Sequence, residues 1–185
     1  MSDAPALVDA HHHVWDLEVR PQPWLEEPAH EPIRRSFTAH ALRSAATRPI
    51  AGRRLTSTVV VQCIASVPET RDLLALADSD PLIGAVVGWA DLSSPAIGDV
   101  LDDLRTGNAG GYLRAVRHVV QGESDPNWLQ RPDVERGLRA VGERGLGYDV
   151  LIGPHQLPQA SRLAQRFPAL PLGCPLCTSD AGDVL

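Results

Sequence analysis

The sequence predicts an α/β fold built around a parallel sheet, and three observations carry that prediction. Five short apolar or β-branched runs recur along the 185 residues. Each is followed by a stretch whose apolar residues return at helical spacing, the signature of repeated βαβ units. The composition, 43% hydrophobic and 22% charged, is that of one ordinary globular domain rather than a disordered chain. Five βα units suit either an open sheet or part of a closed (β/α)8 TIM barrel. A barrel takes about 250 residues in its usual form, so this chain would hold about five of the eight units.

The elements follow in order. Leu7-Val8-Asp9-Ala10 forms the first strand, and a helix over about 38–48 returns from it. The second strand is Thr58-Val59-Val60-Val61. Pro68-Glu69-Thr70 then opens a helix through Leu73, Leu74, Leu76 and Ala77, with proline in the first turn, where its missing N–H does no harm. The third strand is 83–87. After Ser94-Pro95, the residues Ile97, Val100, Leu101 and Leu104 fall at i, i+3, i+4 and i+7, one apolar helix stripe. The fourth strand, 115–119, leads to a helix that begins at Pro132, buries Val134, Leu138 and Val141, and ends at Gly145. The fifth strand, 148–152, precedes a helix from about Gln156 to Phe167, stopped by Pro168. The run 170–177 is a poor strand, because Pro171 and Pro175 remove ladder donors.

Charge and hydropathy narrow the partners. All 17 basic residues are Arg against 23 acidic ones, a net charge of -6. The only adjacent pairs are Arg34-Arg35 and Arg53-Arg54, so there is no basic face to neutralise phosphates, and nucleic acid is excluded as a partner. The longest apolar stretch, 82–90, is far short of the roughly 20 residues that span a bilayer, which argues against a membrane. The first ten residues carry no basic segment ahead of an apolar one, so the cytoplasm is the expected location. Cys63, Cys174 and Cys177 make an odd count that fits a reducing compartment, and a single CxxC is a poor zinc or redox motif.

The sharpest chemical feature is Asp9-Ala10-His11-His12-His13 directly after the first strand. Alternation along an extended chain sends His11 and His13 to one side and His12 to the other. At the C-terminal end of a barrel strand, two imidazoles in the mouth can ligate a divalent metal or hold substrate or water. Two ligands alone do not make a metal site. Arg117-His118, at the end of the fourth strand, offers a guanidinium that binds a carboxylate or a developing oxyanion, or else forms a surface ion pair. Residues 17–35 hold four prolines around Trp24 with no strong period, a long loop that overhangs the first strand's end. Trp24 either walls a pocket there or pins the loop to the rim. Asp149 faces the mouth or satisfies a loop backbone, His155 sits at the right end for a site, and His30 and His40 read as surface residues. There is no phosphate-cradling glycine loop, nucleophile elbow or HExxH.

In combination these motifs resemble a known group. Val8 to Asp16, Pro23-Trp24-Leu25, Val59-Val60-Val61-Gln62, Glu69-Thr70 ahead of Leu73-Leu74, Val86-Val87-Gly88-Trp89-Ala90-Asp91-Leu92, Val116-Arg117-His118, and Tyr148-Asp149-Val150-Leu151-Ile152 with Gln156-Leu157-Pro158 look like the amidohydrolase-superfamily lactonases. That group includes L-fuconolactonase, L-rhamnonolactonase and pyrone-dicarboxylate lactonase. The resemblance covers about residues 7–170 and implies a distorted TIM-barrel hydrolase that opens a sugar-acid lactone or related cyclic ester.

Carried over by position, the resemblance makes His11 and His13 the first-strand HxH, catalytic and conditionally metal-binding, and Arg117 the contact to the substrate carbonyl or carboxylate. It places Gln62, Trp24, Trp89 and His118 in the substrate pocket. The implied cofactor is none, or one divalent ion such as zinc, and the implied partner is a small-molecule lactone. Such enzymes continue after about Leu170 into a strand ending in Asp-His, and later into a Gly-Ser-Asp-Trp-Pro segment whose Asp is the general base. Neither motif occurs in this sequence. The expectation is therefore that 1–171 is the N-terminal part of one barrel domain and 172–185 an aberrant tail. On that reading the chain is truncated or frameshifted, nearly inactive alone, and able to self-associate through an unpaired sheet edge; the alternatives are a non-catalytic fragment or a small sugar-acid-binding α/β protein.

Overall fold

The computed structural model describes residues 5–173. Six parallel strands alternate with five α-helices: β1 (Ala6–His12), α1 (Ala39–Ala46), β2 (Arg54–Val61), α2 (Val67–Ser79), β3 (Ile83–Gly88), α3 (Ile97–Leu104), β4 (Leu113–Val119), α4 (Pro132–Glu143), β5 (Gly147–Leu151), α5 (Leu157–Arg166) and β6 (Leu172–Gly173). Their order in the sheet is β1-β2-β3-β4-β5-β6, the order of the chain. This order resolves the choice left by the sequence. A doubly wound open sheet reverses its strand order at a switch point, and none occurs here. Successive right-handed crossovers place every helix on one face, so the sheet is an arc of a barrel with helices outside and strand ends gathered along a concave mouth.

The main core lies between sheet and helices. Val60, Val86, Val116, Tyr148 and Val150 meet the buried stripes of α2 (Leu73, Leu74, Ala77), α3 (Ile97, Leu101, Leu104) and α4 (Val134, Leu138, Val141). The other face carries only a small cluster, Val61, Val87 and Ala115 with Val59 against it. Gly145, at φ +66°, ends the turn after α4 in the left-handed conformation that a glycine tolerates.

The sheet has one strand more than the five expected. β6 is two residues long, and it pairs Leu172 with Tyr148 and Gly173 with Asp149. The proline before it contributes what a proline can, a carbonyl: Tyr148 N–H donates to Pro171 O at 2.9 Å. Leu172 and Gly173, placed at the head of an aberrant tail by the sequence, thus sit in the sheet, while Cys174, Cys177 and the rest of that tail lie outside the described residues. No helix among the described residues is long and apolar enough to cross a membrane.

One glycine departs from the usual helix rule. Alanine in place of a mid-helix glycine ordinarily gains about 1 kcal/mol. At Gly137, inside α4, a Cβ would overlap the carbonyl of Leu92, which crosses the helix there. Gly137→Ala is therefore expected to destabilise the chain by about 1–3 kcal/mol, the cost of overpacking. A chemical-denaturation midpoint that rises instead would refute the close crossing.

Candidate active site

The ends of β1, β2 and β4 bring four of the predicted residues together. β1 is irregular between Asp9 and His12. There the Asp9 carboxylate accepts the backbone N–H of His11 at 3.0 Å. His12 turns to the Thr58 hydroxyl, 2.9 Å away, while His11 and His13 meet edge to face with their Nε2 atoms 3.2 Å apart. His13 Nδ1 lies 2.9 Å from the carbonyl oxygen of Val61. A carbonyl only accepts, so Nδ1 carries the proton and Nε2 keeps its lone pair toward His11.

Arg117 enters from β4. Its Nη2 donates to Gln62 O at 2.6 Å and to Gln62 Oε1 at 2.9 Å. Its Nη1 lies 3.5 Å from His11 Nε2. Arg117 is 6% exposed and Gln62 not at all. Gln62 Nε2 finds no acceptor among the described residues. Two successive carbonyls at the end of β2 thus hold the site: Val61 fixes His13 and Gln62 fixes Arg117. The peptide between them stays in the sheet through Gln62 N–H to Val87 O, 2.9 Å.

This cluster favours neutral imidazoles. Burial, and next the Arg117 charge, pull His13 from its ordinary value down to about 3. The same two causes, in the same order, lower His11, and burial lowers His12. Cys63 follows directly, with Sγ 3.8 Å from His13 Nδ1 and 3.6 Å from Val14 O. Burial pushes its thiol well up, which makes it inert rather than nucleophilic. Asp149 pairs in register with Arg117 on the neighbouring strand. Burial raises its carboxyl and Arg117 opposes that shift.

The remaining predicted residues make contacts of their own. Trp89 Nε1–H donates to His118 Nδ1 at 3.1 Å, His118 Nε2–H donates to Glu123 at 2.6 Å, and the His118 ring stacks on Trp128 at 4.1 Å. With both nitrogens used, His118 braces the segment after β4 against the end of β3. Trp24 donates to Gln22 Oε1 at 2.9 Å and meets Trp15 and His30 edge to face, so it pins the 17–35 loop. His30, read from sequence as a surface residue, is part-buried and bonded to the Trp24 carbonyl at 2.7 Å. His40 and His155 are exposed. A cavity of ≈ 250 Å³ lies between residues 14–22 and α2; Glu69 lines it, while Arg117 and the paired imidazoles do not.

Two residues outside the sequence-based site list organise it. Glu69, on α2, is 5% exposed and accepts the N–H groups of Cys63 (3.1 Å) and Ile64 (3.0 Å). Thr70 beside it accepts the N–H of Trp89 at 2.7 Å. Its methyl lies where a Cβ on Gly88 would fall. The available signal was Ser66-x-x-Glu69, which reads as a helix capping box. Half of that box forms: Ser66 Oγ accepts the Glu69 N–H at 3.2 Å, while the carboxylate turns back to the end of β2.

The His11–His13 pair has the spacing of a metal half-site. Two nitrogens on one tetrahedral zinc at about 2.0–2.1 Å lie about 3.3 Å apart. The 3.2 Å separation matches, and the Val61 bond to His13 Nδ1 is the kind of outer contact that orients a ligating imidazole. The donors fit as two ligands of a set. The described residues contain no group of three or more His, Cys, Asp or Glu able to hold an ion.

Residues 8–172 match the Amidohydrolase family. The chain is 31% identical over 163 residues to an L-fucono-1,5-lactonase of Burkholderia ambifaria, an alignment covering 88% of this chain and 53% of the relative. An L-fucono-1,5-lactonase of Burkholderia multivorans is 30% identical, with 88% and 52% covered. A crystal structure of an amidohydrolase from Burkholderia multivorans with bound zinc superposes with a TM-score of 0.79 at 29% identity, covering 90% of this chain and 56% of that one. The chain thus spans about half the length of the relatives it matches. A match over nearly all of its described residues, on a sheet that forms the same barrel arc, establishes that the chain belongs to the amidohydrolase family.

Proposed function

We propose that the His11–His13–Arg117–Gln62 cluster is the N-terminal share of a lactone-hydrolysing site whose substrate is a sugar-acid lactone. The observation that supports this reading most directly is the meeting of two neutral imidazole Nε2 atoms with a buried guanidinium 3.5 Å from one of them. Arg117 Nη1 polarises the ester carbonyl and stabilises the oxyanion that forms on it. The neutral imidazoles position the attacking water on the opposite side. A divalent ion, when bound by His11 and His13, would supply Lewis acidity and a more acidic water. Gln62, fully buried, serves the site by holding Arg117 through its backbone carbonyl and Oε1. The lactonase names of the Burkholderia relatives favour a sugar-acid lactone over other cyclic esters.

With His13 held near 3, the imidazoles are weak bases for the water's proton, and the Gly-Ser-Asp-Trp-Pro motif to which the resemblance assigns that role does not occur in the sequence. The chain alone is therefore expected to turn over slowly, by about 10²- to 10⁴-fold relative to a complete set. The test is hydrolysis of L-fucono-1,5-lactone by the purified chain beside the Burkholderia ambifaria relative, with and without added zinc. Weak turnover lost in His13→Ala supports the proposal. A folded chain that neither accelerates hydrolysis nor is thermally stabilised by the ring-opened acid overturns it.

A further inference from the structure

We infer that Glu69 is a positioning residue for Arg117 and acts through the single peptide that joins Gln62 to Cys63. The carbonyl of that peptide accepts from Arg117 Nη2 at 2.6 Å, and its N–H donates to the Glu69 carboxylate at 3.1 Å. In a trans peptide these two groups point in opposite directions. A buried guanidinium and a buried carboxylate therefore occupy the two ends of one amide, each polarising it in the sense that strengthens the other's hydrogen bond. Glu69 on α2 and Arg117 on β4 are thus coupled by charge through one amide.

The arrangement decides which edge of Arg117 faces the mouth. Nη2 is taken by Gln62 O and Oε1, so Nη1 is the nitrogen turned to His11. Rotating the guanidinium would break the chain that ends on Glu69. The carboxylate is itself held from the first loop. Gln22, whose Oε1 is taken by Trp24, and the positive charge of Arg20 both favour the ionised form of Glu69. The catalytic consequence, that Glu69 aims the oxyanion donor, rests on the lactone reading above; the geometric coupling does not.

Ile64 supplies an internal control. Its N–H donates to the same carboxylate at 3.0 Å, but it belongs to the next peptide, and the Arg117 contacts fall on Gln62. The experiment is NMR of the full chain labelled on arginine side chains and backbone amides. In Glu69→Gln, replacing a charged acceptor by a neutral one should speed exchange of the Arg117 Nη hydrogens by about tenfold. Ser66→Ala, which removes the cap of the same helix and leaves the peptide untouched, should leave that exchange as it was. Should Glu69→Gln fail to fold, the reciprocal variant decides. In Arg117→Met the Cys63 amide proton moves upfield, as its hydrogen bond weakens, and the Ile64 amide proton stays. Unchanged Arg117 exchange in Glu69→Gln, an equal effect from Ser66→Ala, or equal shifts of Cys63 and Ile64 overturns the inference. No readout uses turnover, so failure of the lactone reading leaves this test intact.

Discussion

Under the proposed lactone reading, replacing Arg117 by Met is expected to lower turnover by about 10²- to 10³-fold, the effect of removing one oxyanion donor. The loss should fall mainly on kcat, because the guanidinium contact strengthens as charge develops on the carbonyl oxygen. Stability should fall as well. Met fills much of the volume but donates nothing, leaving the buried Gln62 carbonyl and Oε1 without the donor they now share, at a cost of about 1–3 kcal/mol. Arg117→Lys should recover little, since an ammonium on a flexible stem cannot hold both Gln62 oxygens and still present a second nitrogen toward His11. Steady-state kinetics on the folded variants, with melts run alongside, measure both effects. A folded Arg117→Met chain that hydrolyses lactone as fast as the unaltered chain removes Arg117 from the mechanism.

The alternation of apolar runs made the strands legible, because parallel strands covered on both faces are written as continuous Val-rich segments. The helices were legible for a different reason: the stripes of α3 and α4 are short, regular and bounded by Pro and Gly. Strand order was not readable from any residue, and it alone separates a barrel arc from an open sheet. β6 escaped because two residues between prolines carry no side-chain period; only pairing to Tyr148 and Asp149 makes them a strand. In the site, His11, His13 and Arg117 stood out as polar residues at the ends of apolar runs. Glu69 did not, since a glutamate three residues after a serine has an ordinary explanation at a helix start. Its other role depends on where the end of β2 lies in space. The same holds for Glu123 and Trp128, loop residues in the sequence that in the structure occupy His118.

His13→Gln is expected to flatten the acid side of the stability curve. The folded imidazole is held near 3 against an ordinary value of 6.5, so between those values the unfolded chain binds a proton that the folded chain refuses. The stabilisation from a neutral His13 is complete above 6.5 and is lost as pH falls toward 3, at a slope approaching ~1.4 kcal/mol per pH unit. His11 and His12, also lowered, act in the same direction. Glu69 and Asp149, whose carboxyls burial raises, act in the opposite one: their contribution is present at low pH and is lost as pH rises. The total curve mixes the two, and the difference between the unaltered chain and His13→Gln isolates the imidazole. A glutamine amide can still donate to Val61 O, so the variant should keep its fold at neutral pH while losing the lone pair directed at His11. In thermal melts from neutral pH down to about 4, the unaltered chain should therefore lose stability more steeply than the variant. Parallel curves would mean that His13 titrates alike in the folded and unfolded chain, so that neither burial nor Arg117 depresses it.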